Sequence, residues 1–545
     1  MGKDSPLFLG VELGSTRIKA VAVNEAYAVV DGSDYTWSST FENGYWTYDI
    51  SKVWEGLQCA LSGLKNRDGI SYMGISGMMH GYLAFDKDWN LLVPFRTWQN
   101  TTTGPAAAEL TELFRFNVPQ RWSVAHLYQA ILNEEPHLSQ IAHITTLAGY
   151  VHYMLTGVNA VGIGEASGMF PIDSRNLCYD KEMLAKVNEL LASKGFSRKA
   201  EEVLPKVLVA GENAGYLTED GAKKLGDLLP VGIPLAPAEG DAGTGMVATN
   251  AVAPRTGNVS AGTSIFSMVV LEKPLANIYE EIDIVTTPSG KDVAMVHCNN
   301  CTNDSNAWVS LLNEAAQLLG ADAPMGEVYT KLYEKSLEGD ADCGGVLVCN
   351  YMAGEGVTHF DSGRPLVLRS ANSKFTLANF MRSQLYSTMA TLALGMELLE
   401  KEKGISKEYM IAKIEAALTK SCQKEVGGTA VIRVQLDPVK NDFRVFQQRL
   451  VVPDGEVTDR YAEISLSEAK ALSRRNKLGG TVETELKTKN FRRLSAQAGK
   501  QMIIQAIRDA ERERQTREYE DKKEEIITAI VDKVDNSTGN LILDT

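Results

Sequence analysis

Two segments of the chain share one pattern of apolar and polar positions. "GVELGSTRIKAVAV" (residues 10–23) and "GNVSAGTSIFSMVV" (residues 257–270) both place a turn of small residues between two apolar runs. Alternating apolar positions on either side of a glycine and a hydroxyl residue predict a β-hairpin. We therefore predict two hairpins, and their weak similarity is compatible with an internal repeat or with a chance match.

Residues 72–100 and 234–252 predict strands that end in glycine-rich loops. In "YMGISGMMHGYLAFDKDWNLLVPFRTWQN", the strand-like run Tyr72–Ser76 is broken by a glycine, and a second strand is predicted to close at residues 97–100. In "PLAPAEGDAGTGMVATNAV", a small-residue segment that can open a helix begins at Asp241. Loops at such strand ends face ligands in α/β folds.

The pattern changes in the last part of the chain. Residues 392–423 have helical spacing, and residues 429–452 alternate apolar and polar positions as in a β-meander. A short helix opened by Ser465 or Ser467 follows, and residues 490–523 predict a long amphipathic helix. The final segment predicts two strands and a turn.

Charge divides the chain at about the same place. Residues 1–397 carry 28 Lys and Arg against 44 Asp and Glu, whereas residues 398–545 carry 27 against 25. All seven tryptophans lie before residue 309. Such a break in composition indicates two kinds of domain joined near residue 400. Neither part is basic enough to indicate nucleic-acid binding, so direct DNA binding is not expected.

The sequence predicts a cytoplasmic protein without membrane contact. Its first residues lack the apolar stretch and cleavage site of a secretory signal, and no run of roughly 18 apolar residues predicts a membrane span. Cys298 and Cys301, beside His297, have metal-like spacing, but no second pair completes a zinc site. Free buried thiols in a reducing cytosol are the simpler interpretation of the seven cysteines.

Two acidic residues beside the turns admit both a structural and a chemical interpretation. Glu12 precedes the first turn, which is either an ordinary surface hairpin or a phosphate cradle whose acid holds a metal. Asp241 is either a helix N-cap or a carboxylate that accepts a proton from an alcohol. Phosphoryl transfer needs both the cradle and the proton acceptor.

These motifs resemble, in order, those of the FGGY carbohydrate kinases. "GVELGSTRIK" and "GNVSAGTS" are similar to the two phosphate hairpins, "SGMMHG" and "TWQN" to the sugar loops of xylulokinases, "EGDAGTG" to the catalytic-aspartate turn, and "CNYMAGE" to a further segment. The resemblance covers residues 7 to about 397. It implies an α/β fold of two ribonuclease-H-like lobes of the actin/hexokinase superfamily, residues 1–248 and 249–397, and ATP-dependent phosphorylation of a sugar hydroxyl.

The resemblance also implies a role for each matched residue. Asp241 would deprotonate the sugar hydroxyl, and Glu12 and Asp241 would arrange Mg²⁺, largely through water. The residues implied at the ATP phosphates are Gly14, Ser15, Thr16, Lys19, Gly262 and Thr263. The residues implied at the sugar are Met79, His80, Trp98, Asn100 and Asp241.

Three positions depart from the family's pattern. Glu12 stands where the family usually has Asp, so a metal contact would reach one methylene further. Met78 replaces a typical Gln and Asn100 replaces a typical Asp beside the sugar. A ketopentose such as D-xylulose is the expected substrate, although these departures bear on the identity of the sugar.

The tail resembles the N-terminal domain of the transcription elongation and termination factor NusA. "ISKEYMIAKIEAAL", "FRVFQQRLVV", "ISLSEAKAL" and "FRRLSAQAGKQMIIQAIRDAERE" match that family's pattern in order. The resemblance implies an α+β domain over residues 398–523 that docks on RNA polymerase. It also implies, over residues 524–545, the start of an OB-type RNA-binding domain. A generic charged α+β appendage is the alternative.

The two resemblances join at "LEKEKGIS", which fits either family. FGGY kinases continue past a helix like "LYSTMATLALGMELL" into a glycine-rich adenine-binding loop, and no such segment follows here. We therefore expect a truncated second lobe, weak nucleotide binding and weak or absent kinase activity. The alternative function is RNA polymerase binding by the tail with an inactive kinase part. A third hypothesis is a fusion without an evolved joint role.

Overall fold

The chain folds into two compact units, Met1–Glu397 and Leu398–Thr545. The computed structural model describes residues 6–360, 362–402, 415, 419, 423, 426, 429–437, 442–486, 530–534 and 541–544. The strands of the first unit are β1 (Leu7–Leu13), β2 (Arg17–Val23), β3 (Val29–Thr36), β4 (Thr40–Glu42), β5 (Tyr45–Thr47), β6 (Ile70–Gly77), β7 (Leu83–Phe85), β8 (His143–Thr145), β9 (Ala160–Gly162), β10 (Ile172–Asp173), β11 (Cys178–Tyr179), β12 (Lys206–Leu208), β13 (Glu239–Gly240), β14 (Gly257–Ala261), β15 (Ile265–Val270), β16 (Asp283–Thr286), β17 (Asp292–Cys298), β18 (Val346–Cys349) and β19 (Leu366–Arg369).

The helices that begin in the first unit surround these strands. They are α1 (Ser51–Ser62), α2 (Gly104–Phe114), α3 (Ser123–Leu132), α4 (Leu147–Thr156), α5 (Ile163–Ala166), α6 (Lys181–Ser193), α7 (Ala200–Val203), α8 (Glu219–Lys224), α9 (Asp241–Ala248), α10 (Asn303–Leu318), α11 (Met325–Ser336) and α12 (Leu377–Glu402). None of the helices in the described residues combines the length and apolar character that crossing a bilayer requires.

The first five-stranded sheet has the order β3-β2-β1-β6-β13. Strands β1, β2 and β3 pair antiparallel, whereas β6 and β13 run parallel to β1. On β1, Leu9, Val11 and Leu13 alternate with less buried residues and enter the core beneath the sheet. The antiparallel β1–β2 pair confirms the first predicted hairpin, because alternation of apolar residues fixes which face of each strand is buried.

The second sheet has the order β14-β15-β17-β16, and all its neighbours pair antiparallel. The β14–β15 pair confirms the second predicted hairpin. Met268, Val285 and Met295 of this sheet share one core cluster with Leu110 and Phe114 of α2. The second sheet is therefore packed directly against the helices of the first part of the unit.

The stretch before "TWQN" was expected to be a strand, and that prediction is wrong. Residues 97–100 form a turn, and the stretch before them has two isolated bridges, Tyr82 with Arg96 and Phe85 with Leu91, in place of a strand. The Thr97 hydroxyl accepts the Gln99 N–H at 3.3 Å, and the Asn100 amide donates to the Thr97 carbonyl at 3.1 Å. Such local side-chain bonds compete with the extended backbone that a strand needs.

The second unit contains a small mixed sheet. The described elements of this unit are β20 (Val431–Asp437), β21 (Asp442–Val452), β22 (Glu463–Ser465), α13 (Leu466–Leu472), β23 (Thr481–Leu486), β24 (Ile530–Val534) and β25 (Leu541–Asp544). The mixed sheet contains β20, β21, β22 and β23, and β24 and β25 form a separate pair. The antiparallel β20–β21 pair confirms two of the predicted alternating strands, and residues 438–441 between them lie outside the described residues. Ser465, rather than Ser467, caps α13, because its side chain accepts the Glu468 N–H at 3.3 Å.

The last predicted elements of the tail are partly within the structure. Strands β24 and β25 pair antiparallel, as expected for two strands and a turn. The long helix predicted over residues 490–523 lies outside the described residues. So does most of the second predicted helix in residues 392–423.

Candidate active site

The carboxyl ends of three parallel strands bring Glu12 and Asp241 to one edge of the first sheet. Glu12 of β1 lies opposite Ser76 of β6, and Ser76 lies opposite Glu239 of β13. Asp241 follows β13 directly and is the first residue of α9. Ligand sites in open parallel sheets lie at this edge of the strands. The structure therefore brings together the two acids that the sequence singled out.

The carboxylate of Asp241 has one oxygen held by the protein and one left open. Oδ1 accepts the N–H of Met79 at 3.3 Å and the N–H of Ala242 at 2.9 Å. Oδ2 accepts no hydrogen bond from the described part of the chain. The residue preceding the helix is Gly240, and no side chain caps the helix start. Asp241 is therefore not an N-cap, which removes its structural interpretation.

The environment of Asp241 combines solvent exposure with desolvation of its carboxyl group. Its side chain is exposed to solvent, yet the surrounding protein desolvates the carboxyl strongly. This desolvation, together with the negative charge of Glu12, raises the pKa of Asp241 to about 6, although the Met79 and Ala242 N–H groups oppose the shift. A carboxylate with a pKa near neutral pH is suited to accept a proton from a hydroxyl.

The turn of the first hairpin presents backbone N–H groups to solvent. Its carbonyl groups are bound from behind, since Gly14 O accepts the Trp37 indole N–H at 2.7 Å and Ser15 O accepts the Tyr48 hydroxyl at 2.8 Å. Thr16 O accepts the Trp37 backbone N–H at 3.1 Å. The N–H groups of Ser15 and Thr16 have no acceptor among the described residues. Open N–H groups in a tight turn form an anion-binding concavity.

The turn of the second hairpin is held in the same way. Gly262 O accepts the N–H of Thr302 at 3.2 Å and its hydroxyl at 2.8 Å, and Thr263 O accepts the Cys301 N–H at 3.1 Å. Gly262 and Thr263 are both exposed. Because the carbonyls point back toward the β17–α10 loop, the exposed side of this turn also carries N–H groups. Both hairpins therefore have the local geometry expected of a phosphate-binding turn.

Helix α9 connects the turn at Gly240 and Asp241 to the second hairpin. The Ser76 hydroxyl of β6 lies 2.8 Å from the Thr244 hydroxyl of α9. On the same helix, a Cβ atom placed on Gly245 would lie 3.9 Å from Nδ2, the side-chain amide nitrogen, of Asn258 on β14. The helix that begins with Asp241 thus contacts both the first sheet and the first strand of the second hairpin.

Glu12 and Lys19 form an ion pair across β1 and β2, with Lys19 Nζ 2.8 Å from Glu12 Oε2. Oε1 of Glu12 is the second oxygen of that carboxylate, and it lies beside Gly14, where a side chain would approach it to 3.2 Å. One open oxygen on Glu12 and one on Asp241 fit Mg²⁺, which binds through one or two carboxylates, water and substrate phosphates. Within the described residues, no group of three or more metal-binding side chains is present.

The loop after β6 places Met79 and His80 beside Asp241. Both residues are buried, and His80 has a positive φ of 74°. Gly81 follows with a φ of 96°, and a side chain there would lie 2.8 Å from the Arg96 carbonyl, so only glycine fits. Burial and the nearby charge of Arg121 hold the pKa of His80 well below its ordinary value. His80 is therefore a neutral imidazole.

Trp98 and Asn100 have different positions in the turn that follows. Trp98 is half-buried and packs against the core beneath the first sheet. The Asn100 side chain is buried, and its amide accepts the Trp46 N–H at 2.8 Å and donates to the Trp46 carbonyl at 2.9 Å. These bonds use the hydrogen-bonding groups of Asn100 to hold the β4–β5 hairpin. The structure thus gives Asn100 a role in positioning the loop, and its contact with the sugar stays a prediction.

Two buried acids beside the turn at Gly240 and Asp241 were not singled out from the sequence. Glu239 accepts the N–H groups of Gly164 and Glu165 at 3.4 Å and 2.9 Å. Glu165 is fully buried, and its carboxyl lies where a side chain on Gly240 would be only 2.6 Å away. The glycine-spaced pattern "GIGEASG" was the only sequence signal for this cluster. The sequence alone does not show that this segment packs against the distant segment "EGDAG", which contains Glu239.

The cysteines of the described residues are free thiols. Cys298 and Cys301 are buried, and burial together with the nearby charge of Glu355 raises the pKa of the Cys298 thiol to about 12. A thiol in this state is a poor metal ligand and a poor nucleophile.

Three family models match the chain. The model described as the FGGY family of carbohydrate kinases, N-terminal domain, matches residues 7–248, and that of the C-terminal domain matches residues 257–414. The model of the NusA N-terminal domain matches residues 392–513. Both resemblances stated from the sequence are confirmed, and the matches overlap where the two parts join.

Individual relatives agree with the family models. The chain is 24% identical to the xylulose kinase of Haemophilus influenzae over 422 residues, which cover 72% of this chain and 80% of that protein. A solved xylulose kinase from Lactobacillus acidophilus superimposes with a TM-score of 0.60 at 16% identity, covering 72% of this chain and 78% of the other. This likeness confirms the predicted α/β fold class of the first part.

The tail matches a shorter share of its relatives. It is 40% identical to the transcription termination/antitermination protein NusA of Bacillus subtilis over 142 residues, which are 26% of this chain and 38% of that protein. The chain therefore spans well under half the length of the NusA proteins that it matches.

Proposed function

Residues 7–248 and 257–414 belong to the FGGY family of carbohydrate kinases, and we propose that they phosphorylate a hydroxyl of a ketopentose such as D-xylulose with ATP. One observation supports this reaction above others. The Oδ2 atom of Asp241 accepts no hydrogen bond from the described residues, whereas Oδ1 is held by two N–H groups, and the carboxyl lies within electrostatic reach of Glu12. A carboxylate in that position can take the proton of an attacking alcohol. The cytoplasmic location expected from the sequence is part of this proposal.

In the proposed reaction, each residue has one task. The sugar hydroxyl attacks the γ-phosphorus of ATP, its proton passes to Asp241 Oδ2, and the bond between the β–γ bridging oxygen and the γ-phosphorus breaks to release ADP. The N–H groups of the two hairpin turns, with the ammonium of Lys19, bind the phosphate oxygens, because they are fixed in place before the substrate arrives. Met79, His80 and Trp98 bind the sugar.

Glu12 and Asp241 are the residues that would hold Mg²⁺. The ion would offset charge on the phosphates of ATP when bound. Because Lys19 already pairs with Glu12 Oε2, only Oε1 of Glu12 is open to the metal, directly or through water. Glu12 therefore keeps both Lys19 and the cation close to the phosphates.

We further propose that the kinase activity is weakened by the join to the tail. In the family, an adenine-binding loop follows the segment that corresponds to α12, whereas here the match to the NusA domain already begins at residue 392. Phosphate contacts without base contacts give a weaker and less selective nucleotide site.

Nucleotide selectivity tests this proposal. With purified full chain, Mg²⁺ and D-xylulose, we expect formation of nucleoside diphosphate from ATP and GTP. The two kcat/KM values should lie within about fivefold of each other, a difference smaller than or equal to the effect of about one hydrogen bond, because the proposed site binds the phosphates and not the base. Turnover is measured in a coupled assay over a panel of ketopentoses. Strong preference for ATP would contradict the loss of the adenine site, and no turnover with any ketopentose would contradict the kinase proposal.

The second candidate function is binding to RNA polymerase, and the match of residues 392–513 to the NusA N-terminal domain favours it. We expect immobilised full chain to retain purified core RNA polymerase of Bacillus subtilis. Residues 398–545 alone should retain it equally, and residues 1–397 should not. Retention is measured by gel densitometry after washing. Failure of both the full chain and the tail to retain polymerase would exclude this function.

A further inference from the structure

A second histidine lies opposite the sugar loop, on the second sheet. His297 of β17 pairs with Phe266 of β15, and their rings stack with centroids 6.0 Å apart and an interplanar angle of 21°. On the same strand, Val293 and Met295 alternate with His297 and enter the core shared with the first part of the unit. His297 therefore lies on the face of the second sheet that is turned toward the first sheet's helices.

His297 also contacts Trp98, a residue already assigned to the sugar. The two rings meet edge to face, with centroids 6.4 Å apart and an interplanar angle of 73°. His297 is half-buried, and neither of its ring nitrogens has a hydrogen-bond partner within the described part of the chain. An indole face beside an open imidazole nitrogen is a suitable surface for a sugar, because it offers apolar contact and hydrogen bonding together.

His80 adds a second open nitrogen to this surface. Its Nδ1 lies 3.2 Å from the Gly168 carbonyl, which can only accept a hydrogen bond. Nδ1 therefore carries the proton, and Nε2 has a free lone pair. Burial and the positive charge of Arg121 lower the pKa of His297 to about 3, so this imidazole is neutral as well.

Arg121 is held by an ion pair within the protein. Its guanidinium pairs with Asp283, whose other oxygen accepts the Asn117 side-chain amide at 3.0 Å. Arg121 and Asp283 are both largely buried. The surface around Trp98 thus contains two neutral imidazoles and one internal ion pair. The lone pair of His80 Nε2 can accept a hydrogen bond from a hydroxyl but not from a carboxylate, which has no proton to donate, so this surface favours uncharged hydroxyls.

We propose that His297 of the second sheet forms, with Trp98 and His80, the wall of the sugar site that recognises uncharged hydroxyls and so selects neutral ketoses over sugar acids. The proposal rests on the proposed kinase function and assigns its specificity to a residue outside the family motifs quoted from the sequence. His297 contacts the sugar and takes no part in the proton transfer, which belongs to Asp241.

The test is the affinity of the full chain for sugar in the absence of nucleotide, measured by calorimetry. The variant His297→Phe keeps the stacking on Phe266 and the edge contact with Trp98 but removes both ring nitrogens. We expect its Kd for D-xylulose to rise about tenfold, which corresponds to one lost hydrogen bond, while D-gluconate binds the unaltered chain at least about tenfold more weakly than D-xylulose.

A matched control is His143→Phe. His143 is half-buried, stacks on Trp89 with centroids 4.5 Å apart and lies outside the sugar loops, so its replacement should leave the Kd unchanged. Equal affinity of the His297→Phe variant and the unaltered chain, or tighter binding of D-gluconate than of D-xylulose, overturns this inference while the kinase proposal stands. Absence of binding for D-xylulose, D-ribulose and D-gluconate by the unaltered chain overturns both.

Discussion

Replacement of Asp241 by asparagine is expected to lower kcat for sugar phosphorylation by about 100- to 10,000-fold, the range that a positioned general base contributes. The amide oxygen of asparagine can still accept the Met79 and Ala242 N–H groups that hold Oδ1 now. The turn should therefore keep its shape while the proton acceptor is lost. The effect should fall on kcat, with little change in the Kd for D-xylulose.

A surface aspartate provides the control for that substitution. Asp88 is 63% exposed and pairs with its neighbour Lys87, so Asp88→Asn should leave kcat unchanged. Circular dichroism and the thermal midpoint of each variant verify that the fold is intact. If Asp241→Asn turns over at more than a tenth of the unaltered rate, Asp241 is not the base.

The pH dependence of kcat/KM follows from the same carboxyl. Asp241 must be ionised to accept a proton, and its pKa is raised to about 6 by desolvation and by Glu12. Activity should therefore fall about tenfold for each pH unit below about 6. The residual activity of Asp241→Asn should lack this acid limb. A profile in which both proteins lose activity along the same limb would assign the titration to another group.

The two hairpins could be predicted because their information is local. Alternating apolar residues and a glycine turn fix the strands and their buried faces within about fourteen residues. The turn at Asp241 could be predicted for the same reason, since Gly240 and Asp241 are adjacent. What the local pattern leaves open is whether Asp241 caps the helix, and the structure shows that Gly240 is the N-cap while Asp241 Oδ1 accepts the Met79 N–H, 162 residues away along the chain.

The sequence is least informative where distant residues decide the structure. Asn100 is predicted as a sugar ligand, and the structure adds that its amide is bonded to the backbone of Trp46, 54 residues away. The strand predicted to end at "TWQN" gives way to a turn there, because the side chains of Thr97 and Asn100 form hydrogen bonds with backbone groups of the same four residues. His297 was considered only as a neighbour of Cys298, and its contact with Trp98 requires the packing of two separate sheets.

Glu239 shows how much of the site depends on such distant packing, and we expect Glu239→Ala to have the second largest effect. Its carboxyl lies at the start of α5 and accepts the N–H groups of Gly164 and Glu165. Glycine at position 162 is required, because a side chain there would lie 2.1 Å from Glu239 Oε1. Removing the carboxyl leaves two buried N–H groups without acceptors, each of which costs about 1–3 kcal/mol.

The free energy of unfolding of Glu239→Ala should therefore fall by about 2–6 kcal/mol, as measured by urea denaturation. Because Gly240 and Asp241 follow directly, kcat should fall as well. Glu239→Gln is the matched variant. Burial raises the pKa of Glu239 to about 8, so the side chain is largely protonated at neutral pH. The single amide oxygen of a neutral glutamine can still accept one of the two N–H groups, so this variant should lose less stability and activity than Glu239→Ala.

The same pKa sets the sign of a pH effect on stability. The folded chain keeps the Glu239 proton up to about pH 8, whereas the unfolded chain releases it near its ordinary value of 4.5. The free energy of unfolding should therefore decrease as the pH rises from about 4.5 to about 8, since the folded state binds more protons over that interval. In Glu239→Gln this decrease should be smaller. Equal slopes for the two proteins, or a glutamine variant as unstable as the alanine variant, would show that Glu239 is ionised and that its two N–H contacts carry a full negative charge.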